Sequence, residues 1–479
     1  MRLATKVAYN TIIQVGSKVV SVALGLLAIA FITRQLGQNG FGEYTTVMTF
    51  LSFFGIIADL GLTLVTVQII SQPGTDQNRA LSNLLGLRLI TALFFLALAP
   101  IAVIFFPYSA SIRLGVLVAS LSFFFIALNQ IMVGLFQKEL RMDKVAIAEV
   151  VNRVILLAGV VIAIKVNGGL LSILIATVAA NGVGFLLHYI FARSFARIKL
   201  RFEIDYYKKI ISKSWPLALT IFLNLIYLKA DTLLLSIIKR PSEVGIIAEV
   251  GLYGAAYKVI DVVITFPFMF AGIILPIMTK FWSNKNTSDF KHTLQQSFNF
   301  MAIMAVPMII GTQFVSVELM ELIAGKEFIA SGTILRLLIL AAGFIFLGTM
   351  FAHAIIAIDK QKKMILVYLI TAISSLIAYF VFIPKYSYFG AAWVTVYSEF
   401  IIALASAILI YKYTHFLPNW NVFIKSVLAA FVMALCLYIT KDASLLFVKL
   451  PLAVVSYTFA LYIFRGIKIR ELKKLFSLK

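Results

Sequence analysis

The stretch SWPLALTIFLNLIYLKADTLLLSII, residues 214–238, decides the fold. It is longer than the roughly 20 apolar residues a helix needs to cross a bilayer. Yet Lys229 and Asp231 stand near its middle. A charge at that depth costs at least about 2.5–3.5 kcal/mol, so it faces a partner or a wet cavity and marks a pathway. At i and i+2 the two cannot face each other on one helix, so each needs its own surroundings. Lys18, Arg88, Arg153 and Lys258 lie in similar apolar stretches. Several cations with fewer anions beside them suggest a chamber built for an anionic cargo.

Working outward, the whole chain reads the same way. Of 479 residues, 62% are hydrophobic and 13% charged, with a mean hydropathy of +1.00. Soluble proteins are nearer half apolar and a quarter charged. Fourteen spans would take about 280 residues, nearly all the apolar ones. No room is left for a soluble catalytic domain. The expected spans run roughly 11–32, 44–69, 80–106, 113–137, 145–165, 169–192, 214–238, 250–278, 295–317, 333–357, 364–383, 389–411, 421–440 and 445–464. Arg2 and Lys6 precede an apolar run with no A-x-A-like cleavage site, so the first span is expected to stay as an anchor.

The net charge of +22 would suggest nucleic acid in a soluble protein, but here the loops explain it. With both termini placed in the cytoplasm, the inner segments carry 26 Lys and Arg and the outer ones 9, with Arg240 and Lys449 counted among the outer. That is the positive-inside bias of a multi-pass protein of the cell membrane, and it leaves nucleic acid out as a partner. The expected organisation is an N-terminal six-helix bundle (1–192), a basic cytoplasmic linker (193–213), a second six-helix bundle (214–412), and two further helices with a basic tail (413–479). The linker, RSFARIKLRFEIDYYKKIISK, is expected to form an amphipathic helix on the inner leaflet.

The two bundles share traces of a repeat. FGEY (41–44) opens the second span and VGLY (250–253) the eighth, 209 positions later. FQKELRMDK (136–144) and IDKQKK (358–363) follow the fourth and tenth spans, and Gly169 and Gly390 open the sixth and twelfth. A parallel repeat of this kind has its axis along the membrane normal and sets a cavity between the halves.

Catalytic constellations are missing from the sequence. The four histidines have no metal-ligand spacing, the single Cys436 leaves no disulfide within the chain, and no Walker motif is present. LGQNGFGEY lacks the strand a nucleotide fingerprint requires, and its glycines are expected to make a tight helix-to-helix turn. No enzyme activity, metal or cofactor is expected. The acids that partner the cations or carry a coupling ion are Asp59, Glu149, Asp231 and Asp261. Glu149 and Arg153 are spaced i, i+4, and Lys258 and Asp261 i, i+3. Asn10, Asn129, Asn152, Asn181 and Asn224 are polar groups in or near spans, and most of them are expected to hydrogen-bond between helices.

FITRQLGQNGFGEYTTVMTFLSFFGIIADLGL (31–62) resembles the start of polysaccharide-biosynthesis membrane proteins of the oligosaccharide flippase family. The likeness rests on Arg34-x-Leu36-Gly37, Phe41-Gly42-x-Tyr44, Phe50, Asp59 and Gly61-Leu62. ADTLLLSIIKRPSEVGIIAEVGLYGAAYKV (230–259) looks like the matching repeat. The resemblance implies the all-α exporter fold shared by multidrug and toxin extrusion proteins, the lipid II flippase and the oligosaccharide flippases. It also implies a job, moving a polyprenyl-diphosphate-linked oligosaccharide from the inner to the outer leaflet. The diphosphate would meet cavity cations, here Lys18, Arg88, Arg153, Lys229 and Lys258. Partners would be that lipid-linked glycan, membrane lipids, and glycan polymerase or ligase machinery. The competing expectation is a cation-coupled multidrug or small-molecule antiporter of the same superfamily.

Overall fold

A computed structural model describes residues 3–72, 74–440 and 446–466, with side chains for all of these except 3–12, 15, 64, 216, 217 and 220. The tail 467–479 and the Asn10 side chain lie outside this description. The described residues are 88% helical and contain no strand. In order, the helices are α1 (Leu3–Asp59), α2 (Leu62–Ile70), α3 (Gln77–Ala102), α4 (Ala110–Lys138), α5 (Met142–Lys165), α6 (Leu170–Ala192) and α7 (Ile204–Ile237). Then follow α8 (Ile246–Ser283), α9 (Thr287–Ala324), α10 (Ile329–Ala357), α11 (Met364–Thr414), α12 (Asn421–Ile439) and α13 (Leu446–Ile463). Among the described residues, eleven helices are long and apolar enough to cross a membrane.

The fourteen expected spans correspond to the thirteen helices of the described residues, α7 included, once the breaks at Gly37 and Ser387 divide α1 and α11 into two spans each and the second arm of α1 is taken with α2 as one span. Helix α1 turns at Gly37, where φ is +62°, a backbone state open to glycine without steric cost. This is the expected tight turn, made by one of the three glycines of LGQNGFG. Helix α11 turns at Ser387, with φ +50°, three residues after Pro384. The second arm of α1 passes through Leu60 and Gly61, both with positive φ, and continues as α2.

By its internal contacts the chain forms two compact units. The first holds the described residues up to Gly254 with Ile323–Gly325, and the second holds Ala255–Leu322 with the described residues from Lys326 on. In the first unit α1 packs on α3, α4, α5 and α7, while α4 and α5 pack on α6. Its apolar core gathers Leu62, Leu84, Met132, Leu135, Phe136 and Ile210. Asn152 Nδ2 donates to Asn181 Oδ1 at 2.9 Å, and Asn181 Nδ2 to Ser122 Oγ at 2.7 Å, tying α5, α6 and α4 as expected. Such bonds hold helices together where lipid removes the hydrophobic drive for association. In the second unit α10 packs along α11 and α12 along α13, and Tyr457 of α13 donates to the Ile303 carbonyl of α9 at 2.9 Å.

One expectation is corrected. The basic linker is not an amphipathic helix from end to end, since α7 begins only at Ile204 and residues 196–203 are not helical. The N–H groups of Arg197, Lys199, Arg201 and Glu203 donate in turn to Asn78 Oδ1, Ser82 Oγ, the Ser82 carbonyl and Asn83 Oδ1. Acceptors on the first two turns of α3 capture every second N–H of the segment. A helix would have turned those donors inward.

Candidate functional site

The repeat motifs meet in the first unit, and their meeting is two-fold. Helical residues of FGEY and VGLY cross with almost no side chain between them. A Cβ on Gly42 would lie 1.8 Å from the Ile247 carbonyl oxygen, and one on Gly251 2.1 Å from that of Gln38. The sequence offset of 209 carries Gly42 onto Gly251 and Gln38 onto Ile247. Each contact is therefore the image of the other, which is the mark of an isologous crossing. On the same crossing Gly254 faces Thr45, its counterpart under that offset. Only glycine permits backbones to approach this closely.

Around this crossing the polar groups are tied down. Asp231 is fully buried. Its Oδ2 accepts from the Tyr253 hydroxyl at 2.6 Å, and its Oδ1 from the Thr232 N–H and hydroxyl. The tyrosine of VGLY thus links the start of α8 to α7. Lys229 lies within electrostatic reach of the same carboxylate. Arg240, counted as a loop charge in the sequence, is buried. It pairs with Glu249 and donates to the carbonyls of Leu235 (2.8 Å) and Ile238 (2.9 Å), satisfying the end of α7 as a C-terminal cation does.

The expected cavity cations fall into different settings. Arg88 is 3% exposed; its Nη1 lies 2.7 Å from Asp59 Oδ1, and it donates to the carbonyls of Ala127 and Ala58. Asp59 also accepts from Thr63 at 2.5 Å. Arg153 is exposed on α5, its guanidinium 3.9 Å from where a Gly25 Cβ would stand on α1. Lys18, half-buried on α1, lies on the same helix as Gly25, seven residues earlier. Neither Lys18 nor Arg153 has a carboxylate at ion-pair distance among the described residues, and Glu149 and Arg153 do not pair despite their spacing. Lys258 lies 3.9 Å from Asp261, both about a third exposed, in the second unit.

The sequence reading passed over two further groups. Lys449, taken as an outer-loop charge, is 4% exposed on α13 and donates to Glu318 Oε1 of α9 at 2.7 Å. Glu399 is buried on the second arm of α11, and its Oε1 has no hydrogen-bond partner among the described residues. An acid alone in an apolar span is the signal that would have singled it out. The described residues contain no cluster of His, Cys, Asp and Glu that could hold a metal ion. His353 packs with Nδ1 2.9 Å from the Thr349 carbonyl, as expected of a core histidine.

Comparison with known proteins agrees with this architecture. The chain is 22% identical over 83% of its length to the capsular polysaccharide biosynthesis protein CapF of Staphylococcus aureus, covering 97% of that protein. It is 22% identical over 84% of its length to the probable low-salt glycan biosynthesis flippase Agl15 of Haloferax volcanii, covering 82% of it. Among solved structures, the lipid II flippase MurJ in an inward closed conformation aligns over 97% of this chain and 99% of its own, with a TM-score of 0.78 and 16% identity. An inward-facing multidrug resistance MATE transporter aligns over 85% and 98%, with a TM-score of 0.65 and 14% identity. These structural likenesses establish the fold. The model of the polysaccharide biosynthesis protein family matches residues 7–282, more than half of the chain, and the chain therefore belongs to that family of multi-pass membrane proteins.

Proposed function

We propose that this protein is a flippase, not an enzyme, and that it moves a polyprenyl-diphosphate-linked oligosaccharide from the inner to the outer leaflet of the cell membrane. A sugar diphosphate cannot cross hydrocarbon unaided, while its lipid tail can stay in the bilayer. Cations replace the hydration the phosphates lose, and alternating access turns the site from one face to the other. Lys18, Arg153, Lys229 and Lys258 are the groups that would meet the diphosphate. Arg88, paired with Asp59, instead ties α3 to the end of the second arm of α1.

The observation that carries this reading is the state of Lys18 and Arg153. Both stand on apolar helices, open to their surroundings, with no carboxylate beside them among the described residues. A cation kept in such a place at a cost of a few kcal/mol awaits an anion from elsewhere. Family membership narrows the anion to a lipid-linked glycan, and the names of the relatives point the same way. The 26-to-9 loop bias supports cytoplasmic termini. We further propose a 6+6+2 organisation with bundles at 1–192 and 214–412, supported by the 209-residue offset at the glycine crossing. An inside-negative potential would favour outward movement of the anion by roughly 2.3 kcal/mol per charge per 100 mV.

Depletion tests the function directly. Lipid-linked glycan should accumulate on the inner leaflet, where an impermeant glycosidase added outside cannot reach it. Unaltered outer-leaflet glycan in depleted cells would overturn the proposal. Dye efflux from vesicles driven by a proton or sodium gradient would favour the antiporter in its place.

A further inference from the structure

A second lipid contact is built into the first unit, away from the proposed cargo cations. Helices α3, α4 and α6 and the segment 196–203 line a half-open cleft of about 300 Å³. Its wall is almost wholly apolar: Leu85 and Leu89 from α3, Phe124 and Leu128 from α4, Phe185 and Tyr189 from α6, with Ile198 and Leu200 closing one side. The strand-like pattern of the segment explains the closure. Alternate side chains of an extended chain point to opposite faces, so Ile198 and Leu200 share the face that borders the cleft, Leu200 half-exposed at its rim, and the exposed Arg197 and Lys199 alternate with them. The register is fixed by the four N–H groups that dock on α3.

Exposed cations flank, in the chain, the residues that border this cleft. Phe185, Tyr189 and Arg193 are spaced i, i+4, i+8 and continue one stripe of α6, so the stripe that is apolar inside ends in an exposed guanidinium. At 1.5 Å per residue, Arg193 stands about 12 Å beyond Phe185, the distance from upper hydrocarbon to headgroup. Arg193, Arg197 and Lys199 are exposed, and none has a carboxylate at ion-pair distance among the described residues. Their neighbours Arg79 and Arg201, by contrast, are both held by Glu203.

We propose that this site binds an anionic phospholipid. A segment of one acyl chain fills the α3–α4–α6 cleft, and the phosphate headgroup rests among Arg193, Arg197 and Lys199. Basic clusters beside transmembrane helices recognise anionic headgroups in this manner. An apolar slot flanked by unneutralised cations fits that amphiphile and leaves a zwitterionic lipid without an advantage. The cargo is served by other elements. Lys18 and Arg153 are on α1 and α5, Lys229 and Lys258 on α7 and α8, and Arg88 of α3 is turned toward Asp59. The proposal therefore stands whether or not the transported molecule is a glycan.

The test is native mass spectrometry of the full-length detergent-purified protein, with phosphatidylglycerol or phosphatidylcholine added at equal concentration. The wild type should retain one phosphatidylglycerol in preference to phosphatidylcholine. Arg193→Gln with Arg197→Gln and Lys199→Gln should lower that preference at least about five-fold; these side chains make no hydrogen bond to protein among the described residues, so folding is not at stake. Leu200→Trp, which fills the cleft, should reduce retention of both lipids. Equal retention of the two lipids by the wild type, or unchanged preference in the triple variant, would overturn the proposal. So would one-for-one displacement of the retained lipid by a polyprenyl phosphate, which would assign the slot to the cargo tail.

Discussion

The Arg88 guanidinium lies 2.7 Å from the Asp59 carboxylate with only 3% of its side chain exposed. The pair joins the end of the second arm of α1 to the middle of α3, and through the Ala127 carbonyl to α4. Its two members enclose each other's charge, so the loss of one leaves the other stranded. Arg88→Ala should cost about 3–5 kcal/mol, as removal of one partner of a buried pair does. The expected outcome is less folded protein and a lower unfolding temperature in detergent. Arg88→Met combined with Asp59→Leu should recover much of that loss. A double variant no more stable than the single would mean that the pair holds nothing together.

Lys18 and Arg153 should behave in the opposite way. Neither carries an ion pair among the described residues, so Lys18→Ala and Arg153→Ala should leave protein level and unfolding temperature nearly unchanged, within about 0.5 kcal/mol. Export of lipid-linked glycan should fall sharply in each. The comparison is made at matched protein abundance, with an outer-leaflet glycan assay. Full export in both variants would detach the diphosphate from these residues.

Much of this architecture was legible because a bilayer writes its constraints into sequence. The fourteen apolar runs became helical, the second in two pieces across Leu60 and Gly61, and the breaks at Gly37 and Ser387 fell where the runs were interrupted. The spacing of 209 between FGEY and VGLY proved to be a physical contact. What stayed hidden depends on distant partners. Arg240 and Lys449 read as loop charges, yet each is buried against an acid, Glu249 nine residues on and Glu318 131 residues back. The basic linker read as a helix from its own residues. Asn78, Ser82 and Asn83, more than a hundred positions earlier, draw its backbone out straight. Asp59 and Arg88 were named singly, since nothing in a list of helices tells which faces will meet.

Acid should loosen the docked linker. Hydrogen bonds from Arg79, then from Asn83, hold the Glu203 carboxyl down at about 2, against an ordinary 4.5. A folded-state value below the unfolded one adds stability that is present above about 4.5 and lost as pH falls toward about 2. The wild-type linker should therefore become easier to cleave between pH 4.5 and pH 2, with pepsin as the probe. Glu203→Gln should be cleaved readily across the same range and show no such trend. A wild type as resistant at pH 2 as at pH 4.5 would mean that the Arg79–Glu203 contact does not fasten the segment.

The glycine crossing offers a test of the repeat itself. Gly42 and Gly251 are images of each other under the 209-residue offset, and each would drive a methyl group into a backbone carbonyl, at 1.8 Å from Ile247 and 2.1 Å from Gln38. Backbone cannot rotate away as a side chain can, so relief requires the helices to separate. Gly42→Ala and Gly251→Ala should each destabilise by about 1–3 kcal/mol or more, the range for overpacking. Because the two clashes are symmetric, the losses should be similar, and once the helices have parted for one methyl the second should add less than its own share. Unfolding temperatures of the two single variants and the double variant measure this. Strongly unequal single losses, or full additivity in the double, would show that the two motifs do not act as one two-fold contact.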